Sequence, residues 1–116
     1  MAARSVVITV QNNTDSELIR SYYSLSGGIW DVVPPEKIAP GKPGVFESES
    51  DGFLTGTEGE ADYTIDREGT VKFFWDDPYA GSNKYSYQAP KGYAVEISGG
   101  DGDNANVTFT LTKQKK

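Results

Sequence analysis

Ala61-Asp62-Tyr63-Thr64-Ile65-Asp66-Arg67-Glu68-Gly69-Thr70-Val71-Lys72-Phe73-Phe74-Trp75 is the stretch whose reading decides the fold. Ala61, Tyr63 and Ile65 alternate with Asp62 and Thr64. After a polar joint ending in Gly69, Val71, Phe73 and Trp75 alternate with Lys72 and Phe74. A period of two sends successive side chains to opposite faces of an extended chain, so each half reads as a strand with one buried face. The joint Arg67 to Gly69 supplies the residue types that reverse a chain. Phe74 falls out of phase with its neighbours and points away from the face that Phe73 and Trp75 share.

The same period recurs in both directions. Val6, Ile8 and Val10 carry it near the start, Tyr93, Val95 and Ile97 further on, and Val107, Phe109 and Leu111 near the end. Clusters of Gly, Pro, Asn and Asp separate the segments, at Asn12 to Asp15, Gly27-Gly28, Pro34-Pro35, Pro40-Gly41, Asp51-Gly52, Gly81 to Asn83, Pro90 to Gly92 and Gly99 to Asn104. About eight short strands are predicted. Ser16 to Ser26 alone could pass for a helix, and its β-branched and aromatic content turns it toward a strand. Residues 26 to 44, with four of the six prolines, read as one long surface loop. Short strands without heptads or internal repeats predict an all-β protein, an antiparallel β-sandwich in preference to a barrel, as one domain over residues 1–116.

Composition narrows the function. The 116 residues hold 11 basic and 17 acidic side chains, a formal net charge of −6, and neither cysteine nor histidine. Disulfide scaffolds, thiolate nucleophiles, Cys/His zinc sites and histidine-based triads are excluded. The acid excess argues against nucleic acid as a partner, because phosphate neutralisation needs clustered Lys and Arg. No enzyme activity, cofactor or metal is expected. No run of 18 apolar residues exists to cross a bilayer as a helix. Met1-Ala2-Ala3-Arg4 leads into an alternating segment and not into an apolar signal core, so a soluble cytoplasmic product made without a signal peptide is expected.

Four segments are candidates for chemistry. From Glu47 to Glu68 there are eight acids against the single base Arg67, which predicts one strongly negative face or rim suited to a cationic group. Phe73 to Tyr87 runs an aromatic strand end into a Pro-, Gly- and Asn-containing loop, a pattern that suits an interfacial contact because Trp and Tyr join an apolar ring to a polar tip. Trp30 follows the flexible Gly27-Gly28 pair and is expected to be exposed as an anchor for a membrane, a sugar or a protein. Gly99 to Asn104 has the opening acids of a calcium loop, but Asn106 and Thr112 stand where that loop needs Gly and Glu, so it reads as a plain turn. Pairs of carboxylates could hydrolyse glycosides, yet with 17 acids some pair meets any spacing.

Two segments go beyond composition. Glu49-Ser50-Asp51-Gly52-Phe53-Leu54-Thr55-Gly56-Thr57-Glu58-Gly59 and Trp75-Asp76-Asp77-Pro78-Tyr79-Ala80-Gly81-Ser82-Asn83-Lys84-Tyr85 resemble the aegerolysin family, closest to the small insecticidal crystal-protein component of binary pore-forming toxins. The opening Val6 to Thr14, the Gly27-Gly28-Ile29-Trp30 turn and the closing Val107 to Leu111 are similar in order and spacing, so the likeness spans the chain. The resemblance implies an actinoporin-like sandwich without the N-terminal helix. It implies binding to membrane lipids, sphingomyelin or ceramide phosphoethanolamine with sterol, together with a larger second toxin component and assembly as a homo-oligomer. It also implies cytolytic, haemolytic or insecticidal action at a target-cell membrane surface. The positions that match the family's lipid-contact residues are Trp30, Trp75, Tyr79 and Glu58, with Asp76 beside them; Phe53 and Tyr85, in the two quoted segments, are further candidates for lipid contact. Asp77 departs from fungal members, which often place a cysteine there. A carbohydrate-binding module or lectin, with loop Trp and Tyr stacked on sugar rings, is the alternative reading of the same aromatics, and a self-assembling crystal or storage protein is a third.

Overall fold

A computed structural model describes residues 2–114. Ten strands build it: β1 Ser5–Asn13, β2 Leu18–Gly27, β3 Ile29–Val32, β4 Lys37–Ile38, β5 Pro43–Glu49, β6 Thr57–Ile65, β7 Gly69–Asp77, β8 Lys84–Gln88, β9 Tyr93–Gly99 and β10 Asn104–Lys113. No helix occurs among the described residues. One sheet runs β3-β5-β1-β10-β9 and the other β4-β2-β6-β7-β8, packed face to face as the expected sandwich.

Alternation explains the packing. β1 buries every second residue, and Val6, Ile8 and Val10 meet Phe46 of β5 and Val107, Phe109 and Leu111 of β10. The second sheet answers with Leu18, Tyr63, Ile65, Val71, Phe73 and Trp75. An edge-to-face contact crosses the interior, Phe46 against Trp75 at 5.6 Å between ring centroids, and another lies within the second sheet, Tyr63 against Phe73 at 6.5 Å.

Two expectations need correction. The sandwich is not wholly antiparallel, since β1 and β10 pair in parallel from Ser5↔Asn104 to Asn13↔Thr112. Parallel neighbours cannot be joined by a tight turn, and here the two strands lie at opposite ends of the chain. The stretch 26–44 is not one loop. It holds β3, paired to β5, and the two-residue β4, paired to β2 at Leu18↔Ile38. Pro34 and Pro35 interrupt between them, so each strand is short and sits at a sheet edge, where proline-rich neighbours are tolerated.

Strand direction sorts the loops into two ends. β1 and β10 start, and β5, β7 and β9 finish, at the end that carries the loops 50–56, 78–83 and 100–103. This loop end holds Glu49, Asp51, Glu58, Asp76, Asp101 and Asp103 against Arg4 and Lys84. The opposite end holds Lys37, Lys42, Arg67, Lys91 and Lys113 beside its own acids. The acid excess is therefore concentrated at one end of the sandwich.

Candidate lipid head-group site

The site lies where the outer face of the second sheet meets the loop end. In the β6–β7–β8 ladder Glu58 pairs with Asp76 and Asp76 with Lys84, while Glu60 pairs with Phe74 and Phe74 with Ser86. Directly paired residues share a face, so two outward rows result, Glu58-Asp76-Lys84 and Glu60-Phe74-Ser86. Ser24 and Ser26 of β2 complete the wall of an open groove of about 490 Å³.

Between the two rows the inward residues are Gly59, Trp75 and Tyr85. A Cβ at Gly59 would lie 2.8 Å from Trp75 Cζ2 and 2.5 Å from Leu25 Cδ2, so glycine is what lets the indole rise to the floor of the groove. Trp75 itself is 1% exposed. Its Nε1 donates to Ser48 Oγ at 3.0 Å, and Thr57 Oγ1 also donates to Ser48 Oγ at 2.8 Å. The expectation of Trp75 as a surface lipid contact is corrected: it is a core residue presenting only an edge from below. Period two carried that reading already, because Trp75 shares the phase of Val71 and Phe73.

Trp30 is corrected as well. It belongs to β3, is half-buried, and is stacked edge-on between Tyr23 and Trp75 at 5.8 Å from each. Tyr85 is half-buried, with its Oη donating to Gly100 O at 2.8 Å. Burial pushes its phenol up to about 12, so it stays neutral and acts only by hydrogen bonding and packing.

Glu58, Asp76, Phe53 and Tyr79 are at the surface or line its hollows. Glu58 and Asp76 separate the groove from a second hollow of about 470 Å³, whose far wall includes Leu54 and Tyr79. Leu54 and Tyr79 in turn border a third, of about 460 Å³, bounded by Ile29 and Phe53. The three hollows form one track from the sheet face around to the loop tip. Arg4 fastens its middle. Its Nη2 donates to Tyr79 O at 2.6 Å, its Nε to Pro78 O at 3.3 Å, and its guanidinium lies 4.7 Å above the Tyr79 ring.

The remaining acids do not form one rim. Asp62 faces outward next to Lys72, at 3.9 Å, and is nearly buried there. Glu68 lies at the opposite end, where the Tyr93 hydroxyl and the Lys113 ammonium donate to it and hold its carboxyl below the usual range. Glu47 and Glu49 gather with Asp31 on the other sheet, and desolvation, followed by Asp31, raises the Glu47 carboxyl. In the turn Gly99 to Asn104, Asn83 Nδ2 donates to the carbonyls of Gly100 and Gly102 at 2.8 Å each and ties the turn to the loop after β7. Glu60, Phe74, Lys84, Leu54, Ile29 and Arg4 are additions to the expected site. For Glu60 and Phe74 the signal was their phase, two residues from Glu58 and Asp76.

The sequence model of the aegerolysin family matches residues 3–114. The chain belongs to the aegerolysin family. An uncharacterised protein of Dictyostelium discoideum is 35% identical over 113 residues, which is 96% of this chain and 10% of that protein. The aegerolysin chain thus spans about a tenth of the length of the curated relative it matches. Solved structures repeat the fold. RahU, described in complex with a Tris molecule, superposes with a TM-score of 0.81 at 22% identity, covering 100% of this chain and 99% of that one. The lipid binding protein Nakanori gives 0.83 at 14% identity, over 97% and 73% of the two chains. IP-1A from Alcaligenes faecalis gives 0.77 at 20% identity, over 98% and 94%.

Proposed function

We propose that this aegerolysin is the lipid-recognising component of a two-component cytolysin or insecticidal toxin, holding the cationic end of a sphingolipid-type head group in the groove beside Glu58 and Asp76. The observation that carries the reading is the pairing of those two carboxylates across the β6–β7 ladder, on the rim of an open groove with the Phe74 ring on its wall. Anionic side chains beside an aromatic face suit a quaternary or primary ammonium. A zwitterionic head group presents such an ammonium outward, whereas an anionic lipid would be repelled by the acidic loop end. Family membership and the description of Nakanori as lipid-binding support the same class of ligand.

Pore formation falls to a larger partner. The β6–β7 hairpin has nine residues a side, but its outer face carries Glu58, Glu60, Asp62, Lys72 and Asp76. A membrane-spanning strand needs an unbroken apolar band on its lipid face. The chain binds and recruits, and the second component inserts.

Liposome sedimentation tests the reading with vesicles of sphingomyelin and cholesterol, of ceramide phosphoethanolamine and cholesterol, of phosphatidylcholine and of phosphatidylserine. Binding to a sphingolipid mixture that is lost in Glu58→Gln is expected. Absence of binding to every mixture overturns the reading, and binding to a glycan array without vesicle binding would replace it with a lectin.

A further inference from the structure

The track that starts at the groove ends on a feature that head-group recognition does not use. Phe53 is 89% exposed, the largest exposure among the large apolar side chains of the described residues, and Leu54 beside it is 52% exposed. Leu54 has φ +59°, a left-handed conformation that a bulky side chain adopts only at a cost in backbone strain. The loop is braced in this shape, with Thr55 Oγ1 donating to Gly52 O at 2.9 Å. Tyr79 and Ile29, themselves 41% and 45% exposed, flank the pair around the same hollow. A strained loop that holds two apolar side chains in water disperses nothing into the core.

We propose that Phe53-Leu54 is a wedge that enters the head-group zone of a zwitterionic bilayer, so that the sandwich docks loop end first with the Glu58–Asp76 groove at head-group level. This rests on the lipid-binding reading above and adds to it the orientation and the anchoring residues. Charge complementarity selects the occupant. Glu49 and Asp51 border the same hollow as the wedge, and the outward ammonium ends of a zwitterionic surface neutralise them while an anionic leaflet repels them. Phe at that depth contributes by apolar burial, and Tyr79 joins it with a ring whose hydroxyl remains in the wet layer. Leu54 and Tyr79 border both the wedge hollow and the hollow next to Glu58, so seating the wedge brings the groove to the membrane surface.

The test uses Phe53→Trp and Phe53→Ser with vesicles of sphingomyelin and cholesterol containing lipids spin-labelled at shallow and deep positions. Trp30 and Trp75 are partly or fully buried, so new emission reports position 53. We expect that emission to shift to the blue and to be quenched by the shallow label. Burial of a phenylalanine side chain predicts a roughly tenfold or greater loss of vesicle affinity in Phe53→Ser, with an unchanged melting temperature. Phosphatidylserine in the vesicles should weaken binding. Unquenched emission in Phe53→Trp with wild-type affinity in Phe53→Ser, while Glu58→Gln no longer binds, overturns the wedge and leaves the head-group reading standing. If Phe53→Ser binds vesicles normally but fails only when the second component is added, the tip is a protein contact and the wedge is likewise overturned. Failure of the wild type on every vesicle removes both.

Discussion

Glu58 and Asp76 stand directly opposite one another in an antiparallel ladder, two carboxylates on one face of neighbouring strands. Like charges in that position destabilise a sheet by a few tenths to about 1 kcal/mol. Glu58→Gln should therefore raise the melting temperature slightly while reducing vesicle binding at least tenfold. A stability gain coupled to a binding loss marks a pair kept for its ligand, and calorimetry beside sedimentation reads both. Unchanged binding in both Glu58→Gln and Asp76→Asn would remove the pair from the site.

Asp77 makes stability depend on pH. It is 1% exposed, and neither carboxylate oxygen has a hydrogen-bond partner. Desolvation, opposed by Arg4 and reinforced by Asp103 and Asp76, raises its carboxyl from 3.8 to about 6. A folded value above the unfolded one means that the folded state binds the extra proton, so stability is highest below about 4 on this account and falls as pH rises to about 6. The difference is on the order of 3 kcal/mol. Asp62, also raised to about 6 chiefly by desolvation, acts in the same sense, and Glu68 acts in the opposite one. Melting curves from pH 4 to 8 should show a shallower fall in Asp77→Asn than in the wild type, and identical slopes would rule out Asp77 as a source.

Ser48 holds the floor of the groove. Its hydroxyl oxygen accepts from both the Trp75 indole and the Thr57 hydroxyl in the interior. Ser48→Ala leaves the Trp75 indole N–H without its acceptor, at a cost of about 1–3 kcal/mol, while the Thr57 hydroxyl keeps Gly27 O at 3.1 Å. Denaturant titration should show that loss with little change in lipid affinity once the protein is folded. A binding defect larger than the fraction unfolded would mean that the indole contacts lipid directly.

Much of this architecture was legible in the residues. Val6 to Val10, Ala61 to Ile65 and Val71 to Trp75 alternate so regularly that face and phase follow from sequence. The parallel β1–β10 pair was not, because alternation fixes which face a residue takes and says nothing about which strand lies beside it. β3 and β4 were missed because four and two residues are too few to show a period, and prolines surround them. The acid run misled for a geometric reason. Eight acids contiguous in sequence pass through β5, β6 and two turns, so alternation and chain reversal deal them to two sheets and both ends. Exposure of Trp30 could not be inferred from its glycine neighbours, since the partners that half-bury it, Tyr23 and Trp75, are distant or on another sheet.

Arg4 links the pH response to the site. It donates to the carbonyls of Pro78 and Tyr79, lies over the Tyr79 ring, and is the charge that lowers the Asp77 carboxyl. Arg4→Gln removes this opposing charge, so the Asp77 carboxyl should titrate higher and the fall in stability should extend to higher pH. The same change frees the segment after β7 that positions Tyr79, and vesicle affinity should drop several-fold even at pH 5, where Asp77 is largely neutral. Arg4→Gln combined with Asp77→Asn separates the two roles. The double variant should recover the shallower pH profile of Asp77→Asn, because position 77 then carries no carboxyl for the guanidinium to act on, and should keep the weakened binding of Arg4→Gln. Recovery of full affinity in the double variant would mean that Arg4 acts on binding only through Asp77, and that its hold on the Tyr79 segment is without consequence.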